Sequence, residues 1–144
     1  MLKYALRAIT FVLLAGVVLF GLIQLVPYGR DHSDPPAVQE PAWDSPQTRQ
    51  LAVRACFDCH SNQTVWPWYT NVAPVSWLTV HDVVEGRRRL NFSQWNGLRR
   101  GEDEIARNIS DGRMPPFYYV WLHPSANLSA AEKTALINGL NAIP

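Results

Sequence analysis

Both cysteines of this 144-residue chain lie in one pentapeptide, Cys56-Phe57-Asp58-Cys59-His60. Two thiols two residues apart, followed at once by an imidazole, have the spacing of a covalent c-type haem attachment site. The spacing has a chemical reason. Each sulfur adds to one haem vinyl group, and two intervening residues on a helical turn let both sulfurs reach one porphyrin edge. His60 then supplies an axial nitrogen to iron. The motif takes up every cysteine in the chain, so no disulfide framework competes for them.

The length leaves room for one small domain plus appendages. Six Trp, five Tyr and five Phe are many for such a chain. They suit a small domain that wraps a large flat apolar cofactor, because its own aliphatic core is thin. An aromatic-rich core without a ligand has the same composition. A formal net charge of +1 gives no case for nucleic-acid binding.

Ala8 to Val26 is apolar except for Thr10 and Gln24, and Lys3 and Arg7 precede it. At 1.5 Å per residue such a run covers about 28 Å, enough for the hydrocarbon core of a bilayer. The basic flank places the N-terminus in the cytoplasm and the remainder outside, in the periplasmic or extracytoplasmic space of a bacterium. A cleaved signal peptide is the competing reading. The run is longer than a usual signal core, and no small-residue cleavage site follows at Leu25-Val26-Pro27-Tyr28, which favours an uncleaved anchor.

Three regions follow from this: a transmembrane anchor over 1–27, a Pro-rich linker over 28–44, and an all-α haem-binding domain over 45–144. The linker carries Pro35, Pro36 and Pro41 and is expected to be extended. At about 3.1 Å per residue it reaches roughly 50 Å. His32 within it is expected to be solvated.

In the domain, Ser45-Pro46 predicts a helix start with Ser as N-cap and Pro at the first helical position. Leu51 and Ala55 lead that helix into the CxxCH turn. Trp66-Pro67-Trp68-Tyr69 reads as an aromatic loop over the cofactor or the core, which makes Trp68 a candidate cofactor contact. Ala73-Pro74 opens a helix running to about Arg89, with Trp77, Val80 and Val84 inward and His81 on the same face. Asn91 to Trp95, bracketed by Arg87-Arg88-Arg89 and Arg99-Arg100, reads as a loop or short helix. Glu102–Ser110 predicts a helix with acidic residues in its first turn and Gly112 as its C-terminal cap. Ser129-Ala130-Ala131-Glu132 is a capping box for a last helix carrying Leu136, Leu140 and Ile143. Gly139 inside it implies close approach to another helix, expected to be the one before CxxCH.

A haem iron held only by His60 is open to small ligands, whereas a second protein ligand makes it an electron carrier. Met114, in Asp111-Gly112-Arg113-Met114-Pro115-Pro116, is the only methionine after Met1. Its soft thioether favours ferrous iron, and two prolines stiffen its loop. The alternative is that Met114 fills an apolar gap. His81 is the next candidate, as a ligand, a propionate contact or a satisfied core histidine. His123, before Pro124, ranks third as a ligand and is expected to be exposed. Arg87, Arg88, Arg89 or Arg113 could neutralise haem propionates or dock an acidic partner.

The order of elements resembles class I cytochromes c. More closely, Cys56-Phe57-Asp58-Cys59-His60-Ser61-Asn62, Trp66-Pro67-Trp68-Tyr69, Ala73-Pro74-Val75-Ser76-Trp77, His81-Asp82-Val83, Leu90-Asn91-Phe92-Ser93 and Met114-Pro115-Pro116 are similar to the bacterial haem-binding domain family of small membrane-tethered monohaem cytochromes. The resemblance runs over about residues 43–141. It implies a cytochrome c-like α fold around one covalent haem c, with Cys56 and Cys59 as thioether links and His60 and Met114 as iron ligands.

The leading expectation is a non-enzymatic one-electron carrier between redox partner proteins outside the cytoplasm, tethered to the membrane and without a small-molecule substrate. A haem sensor or peroxidase-like enzyme is the alternative, with Met114 displaceable and His81 as distal acid-base group. A haem-free thiol couple lacks the βαβ context, and a zinc site lacks a fourth ligand.

Overall fold

The computed structural model describes residues 1–95 and 102–143; the paired Arg99-Arg100 lies outside the described residues. Among the described residues every regular element is a helix, and the only β feature is an isolated bridge between Gln39 and Gln94. The α-helices are α1 (Leu2–Ile23), α2 (Pro46–Ala55), α3 (Phe57–His60), α4 (Val75–Arg89), α5 (Glu102–Ser110), α6 (Phe117–Leu122) and α7 (Ala130–Asn141). Short 3-10 turns occupy Trp68–Asn71 and Pro124–Ala126. The chain divides into two compact units, Met1–Ser33 with Trp66–Asp82, and Asp34–Val65 with Val83–Pro144.

The first unit contains α1, which is long and apolar enough to cross a membrane and has no buried residue. Its C-cap, Gln24, makes a reciprocal pair with one backbone unit: Nε2 donates to the Ala73 carbonyl at 3.0 Å, and the Ala73 N–H donates to Oε1 at 2.9 Å. His32, expected to be solvated, is instead held here. Its Nε2 lies 3.1 Å from the Thr70 carbonyl, and its ring stacks on Trp66 at 4.2 Å.

The second unit has a core of Leu51, Ala52 and Ala55 from α2, Phe57 from α3, Phe92, Ile109 from α5, Leu128, and Leu136 and Leu140 from α7. Removing such a Leu or Phe side chain from water contributes about 1.5–3 kcal/mol. The caps read from sequence are in place. Ser45 Oγ accepts from the Thr48 N–H, with Pro46 in the first turn of α2. Ser129 and Glu132 form both hydrogen bonds of the capping box that opens α7. Gly139 faces Thr48, where a Cβ would overlap the threonine side chain, so the close approach is to α2.

The span 28–44 forms no helix, and its residues 34–43 belong to the second unit and are fastened within it. The Val38 and Gln39 N–H groups donate to the Ser93 carbonyl, and the Trp95 N–H donates to the Gln39 carbonyl. Glu40 pairs with Arg49, and Trp43 packs against Phe57 and Phe92. Proline prevents helix here, but the backbone groups it leaves unpaired find partners far along the chain.

α4 starts and ends where expected, and Val80 is buried and Trp77 half-buried as expected, but Val84 and His81 are not on the inward face. Ser76, Val80 and Val83 are buried, while His81 is exposed and Val84 is 57% exposed. A small buried serine opens the inward stripe. That turns the stripe away from Val84 and leaves His81 pointing to solvent.

Candidate functional site

The CxxCH segment is built as a turn between two helices. Cys56 closes α2 and opens α3, its carbonyl accepting from the His60 N–H at 2.8 Å and the Cys59 N–H at 3.2 Å. Phe57 drives the turn into the core, being 1% exposed and stacked on Phe92. Cys56, Cys59 and His60 are left half-buried, and the two cysteines are not joined in a disulfide.

His60 has a defined set of partners. Its Nδ1 lies 3.0 Å from the Gly86 carbonyl and 3.1 Å from the Leu90 carbonyl, which fixes Nδ1–H as the donor. The neutral tautomer therefore keeps its lone pair on Nε2, which has no hydrogen-bond partner among the described residues. Burial pushes the imidazole pKa below its usual value, against the opposing pull of the two carbonyls. A neutral imidazole whose ring orientation is set by an Nδ1–H···O=C bond is the form that ligates a metal.

Gly86 makes this geometry possible. A Cβ at this position would overlap the carbonyl oxygen of Cys59, so α4 reaches the turn only with glycine there. The residues after His60 are held just as firmly. The Phe92 N–H donates to the His60 carbonyl at 2.8 Å, Ser93 Oγ accepts from the Asn62 N–H at 3.0 Å, and Asn91 Nδ2 donates to Asn62 Oδ1 at 2.9 Å. Arg87 donates to the Ser61 carbonyl, Thr64 Oγ1 and Asp34. Of the four arginines considered for propionates, Arg87 is therefore committed to this turn. Arg88 pairs with Glu85 and Arg113 with Asp111 at the surface, and Arg89 is exposed.

Asp58 ties the turn to α6. Its Oδ2 accepts from the Tyr119 hydroxyl at 2.7 Å and its Oδ1 from the Val65 N–H at 3.0 Å. His123, expected to be exposed, is half-buried instead. It stacks on Tyr119 at 4.1 Å, with Nδ1 donating to the Tyr119 carbonyl at 3.0 Å.

Met114 belongs to the same unit as His60. It follows the end of α5, where Gly112 takes a left-handed φ of 70°. The Gly112 N–H donates to the Ile109 carbonyl and the Arg113 N–H to the Asn108 carbonyl, the paired bonds of a Schellman cap. The Met114 N–H also donates to the Asn108 carbonyl, so the cap fixes its backbone. At 40% exposure, its side chain does not fill a core gap. Trp68 and His81 belong to the first unit and are exposed, Trp68 by 77%.

The site's electrostatics bear on the haem-free alternatives. Burial pushes the Cys56 thiol up to about 12, whereas thiol-disulfide catalysts lower theirs. Among the described residues, no three His, Cys, Asp or Glu side chains converge as a metal cage. The residues present fit haem better: a fixed imidazole with an open Nε2, two thiols in the same turn, and a thioether left uncommitted by packing.

Sequence reasoning missed Gly86 and Tyr119, and it marked Asn91 and Ser93 only as part of a family motif, without their contacts to the turn. Gly86 carried a signal, since glycine inside a helix costs about 1 kcal/mol relative to alanine and calls for a packing reason.

A family model described as a haem-binding domain matches residues 18–142. No curated protein and no solved structure gives a significant match.

Proposed function

The chain belongs to the haem-binding domain family, and from that premise we propose that it is a membrane-tethered monohaem c-type cytochrome. It passes single electrons between redox partner proteins outside the cytoplasm. Cys56 and Cys59 would form the thioether links, and His60 Nε2 and the Met114 sulfur would hold the iron. The helices of the second unit would enclose the cofactor in a cytochrome c-like manner. α1 is the anchor, with its Lys3 and Arg7 end in the cytoplasm.

The observation that carries this reading is His60, fixed through Nδ1 with Nε2 left available. Haem supplies a one-electron ferric/ferrous couple when bound. The chain's own residues do the remaining work. Gly86 and Leu90 hold the imidazole in one tautomer and orientation, which makes it a stronger electron donor. Phe57 and Phe92 exclude water from the core side of the turn. The Asn108 cap fixes the backbone of Met114, so less freedom is lost when its sulfur becomes a ligand.

Reductive titration of the purified holoprotein tests the role. The expected result is one reversible one-electron wave and low-spin spectra in both states. The exposure of Met114 favours a second reading, a sensor or peroxidase-like protein whose distal ligand is displaceable. Rapid carbon monoxide binding by the ferrous protein at neutral pH would decide for that reading and against the carrier.

A further inference from the structure

The first unit carries an observation that the haem reading does not use. Residues 66–76 are fastened directly to the residues that follow α1. Gln24, the α1 C-cap, holds both the N–H and the carbonyl of Ala73. Gly29 packs against the backbone of Ser76 and Trp77. His32 holds the Thr70 carbonyl and the Trp66 ring.

We infer that this unit is seated in the phospholipid headgroup layer at the outer end of α1, with Trp68 as its interfacial anchor. The inference rests on the reading of α1 as a membrane-spanning helix.

Counted from Ala8, beyond the Lys3 and Arg7 flank, α1 rises about 24 Å to Ile23. Gln24 therefore arrives within about one turn of the boundary between the acyl chains of a ~30 Å hydrocarbon core and the headgroups. Ala73, hydrogen-bonded to it, stands at the same level. The headgroup layer extends only about 5–8 Å beyond that boundary, so the 3-10 turn at Trp68–Asn71 begins within or just above it.

The exposed side chains match that position. Trp68 is 77% exposed, Leu25 77% and Tyr28 52%. Single exposed apolar residues are ordinary on a water-facing surface, but Trp and Tyr concentrate at headgroup level, where an apolar ring and a polar edge are both satisfied. Arg30 donates to the Gln24 carbonyl, which places a cation at the end of α1 where lipid phosphates lie. The Gln24 amide also satisfies both polar groups of Ala73 where water is scarce. The linker, expected to be extended, therefore begins as part of a membrane seat.

Photo-crosslinking tests this in the full-length chain in native membranes. Leu14, Trp68 or both in turn are replaced by p-benzoylphenylalanine, irradiated, and read by intact mass. The expected result is a mass increase of one phospholipid at each position. The Gln24→Ala change should abolish the adduct at 68 and leave that at 14. An adduct at 14 with none at 68 overturns the seat and leaves the spanning helix standing. No adduct at 14 removes the spanning helix, and the proposal with it. An undiminished adduct at 68 in the Gln24→Ala chain overturns the role given to that clamp.

Discussion

Gly86 serves His60 twice: its carbonyl oxygen accepts the imidazole Nδ1–H at 3.0 Å, and its missing side chain lets α4 come close enough to do so. The contact runs from helix backbone to turn backbone, so neither partner can swing aside. Gly86→Ala should therefore destabilise the protein by about 1–3 kcal/mol, as overpacking does, despite alanine's better helix propensity. Urea unfolding measures this. Gly16→Ala, with nothing within 4 Å of the added methyl, should leave the midpoint unchanged.

Met114→Ala separates ligation from packing. The side chain is 40% exposed, so its loss should change stability of the haem-free chain by no more than about 0.5 kcal/mol. Optical and resonance Raman spectra of the holoprotein should nevertheless change from low-spin His/Met iron to high-spin or His-ligated iron. Unchanged spectra would move the sixth ligand elsewhere.

Much of the helical frame was legible because its signals are local. Ser45-Pro46, the Ser129/Glu132 capping box and Gly112 each mark a helix end through residues within a few positions of one another. What stayed hidden depends on distant partners. The fastening of residues 34–43 needs Ser93 and Arg49, which no pattern inside a proline-rich stretch reveals. α6 was missed because Phe117 and Trp121, four apart, point outward at 74% and 83% exposure, so its apolar run lacks an inward stripe. His81 is four residues from Trp77 yet exposed, because the buried stripe of α4 runs through Ser76, Val80 and Val83. At the site itself, CxxCH and Met114 stand out by residue type, whereas Gly86, Asn91 and Ser93 act through backbone geometry and hydrogen bonds that only the fold brings together.

Glu40 should make stability depend on acid pH. Its carboxylate accepts from Arg49 Nε at 2.7 Å, Trp43 Nε1 at 2.9 Å and Gln63 Nε2 at 3.3 Å. The Arg49 bond above all holds its pKa down at about 2, against 4.5 for the unperturbed group. The unfolded chain takes up a proton as pH falls through 4.5 and the folded chain does not until about 2. The stabilisation is thus complete above that window and lost progressively within it. Urea midpoints of wild type and Glu40→Gln should differ at neutral pH and converge as pH falls across the window. A difference that stays constant would contradict the pairing.

Ser129→Ala removes one half of the capping box. Loss of the bond from the Glu132 N–H to Ser129 Oγ should cost about 1 kcal/mol, lowering Tm by about 4–8 °C for a domain of this size. Thermal unfolding followed by circular dichroism measures it. Ser129→Asp, which can still cap, should restore most of the loss.

The central claim is that one haem is bonded to Cys56 and Cys59. Its most direct test is the intact mass of the polypeptide, taken under denaturing conditions after expression in a host competent for c-type haem maturation. The account predicts the mass of the chain plus one haem, and the bare chain mass when Cys56 and Cys59 are both replaced by alanine. A wild-type chain that runs at its bare mass, with its haem lost on denaturation or never taken up, would contradict it.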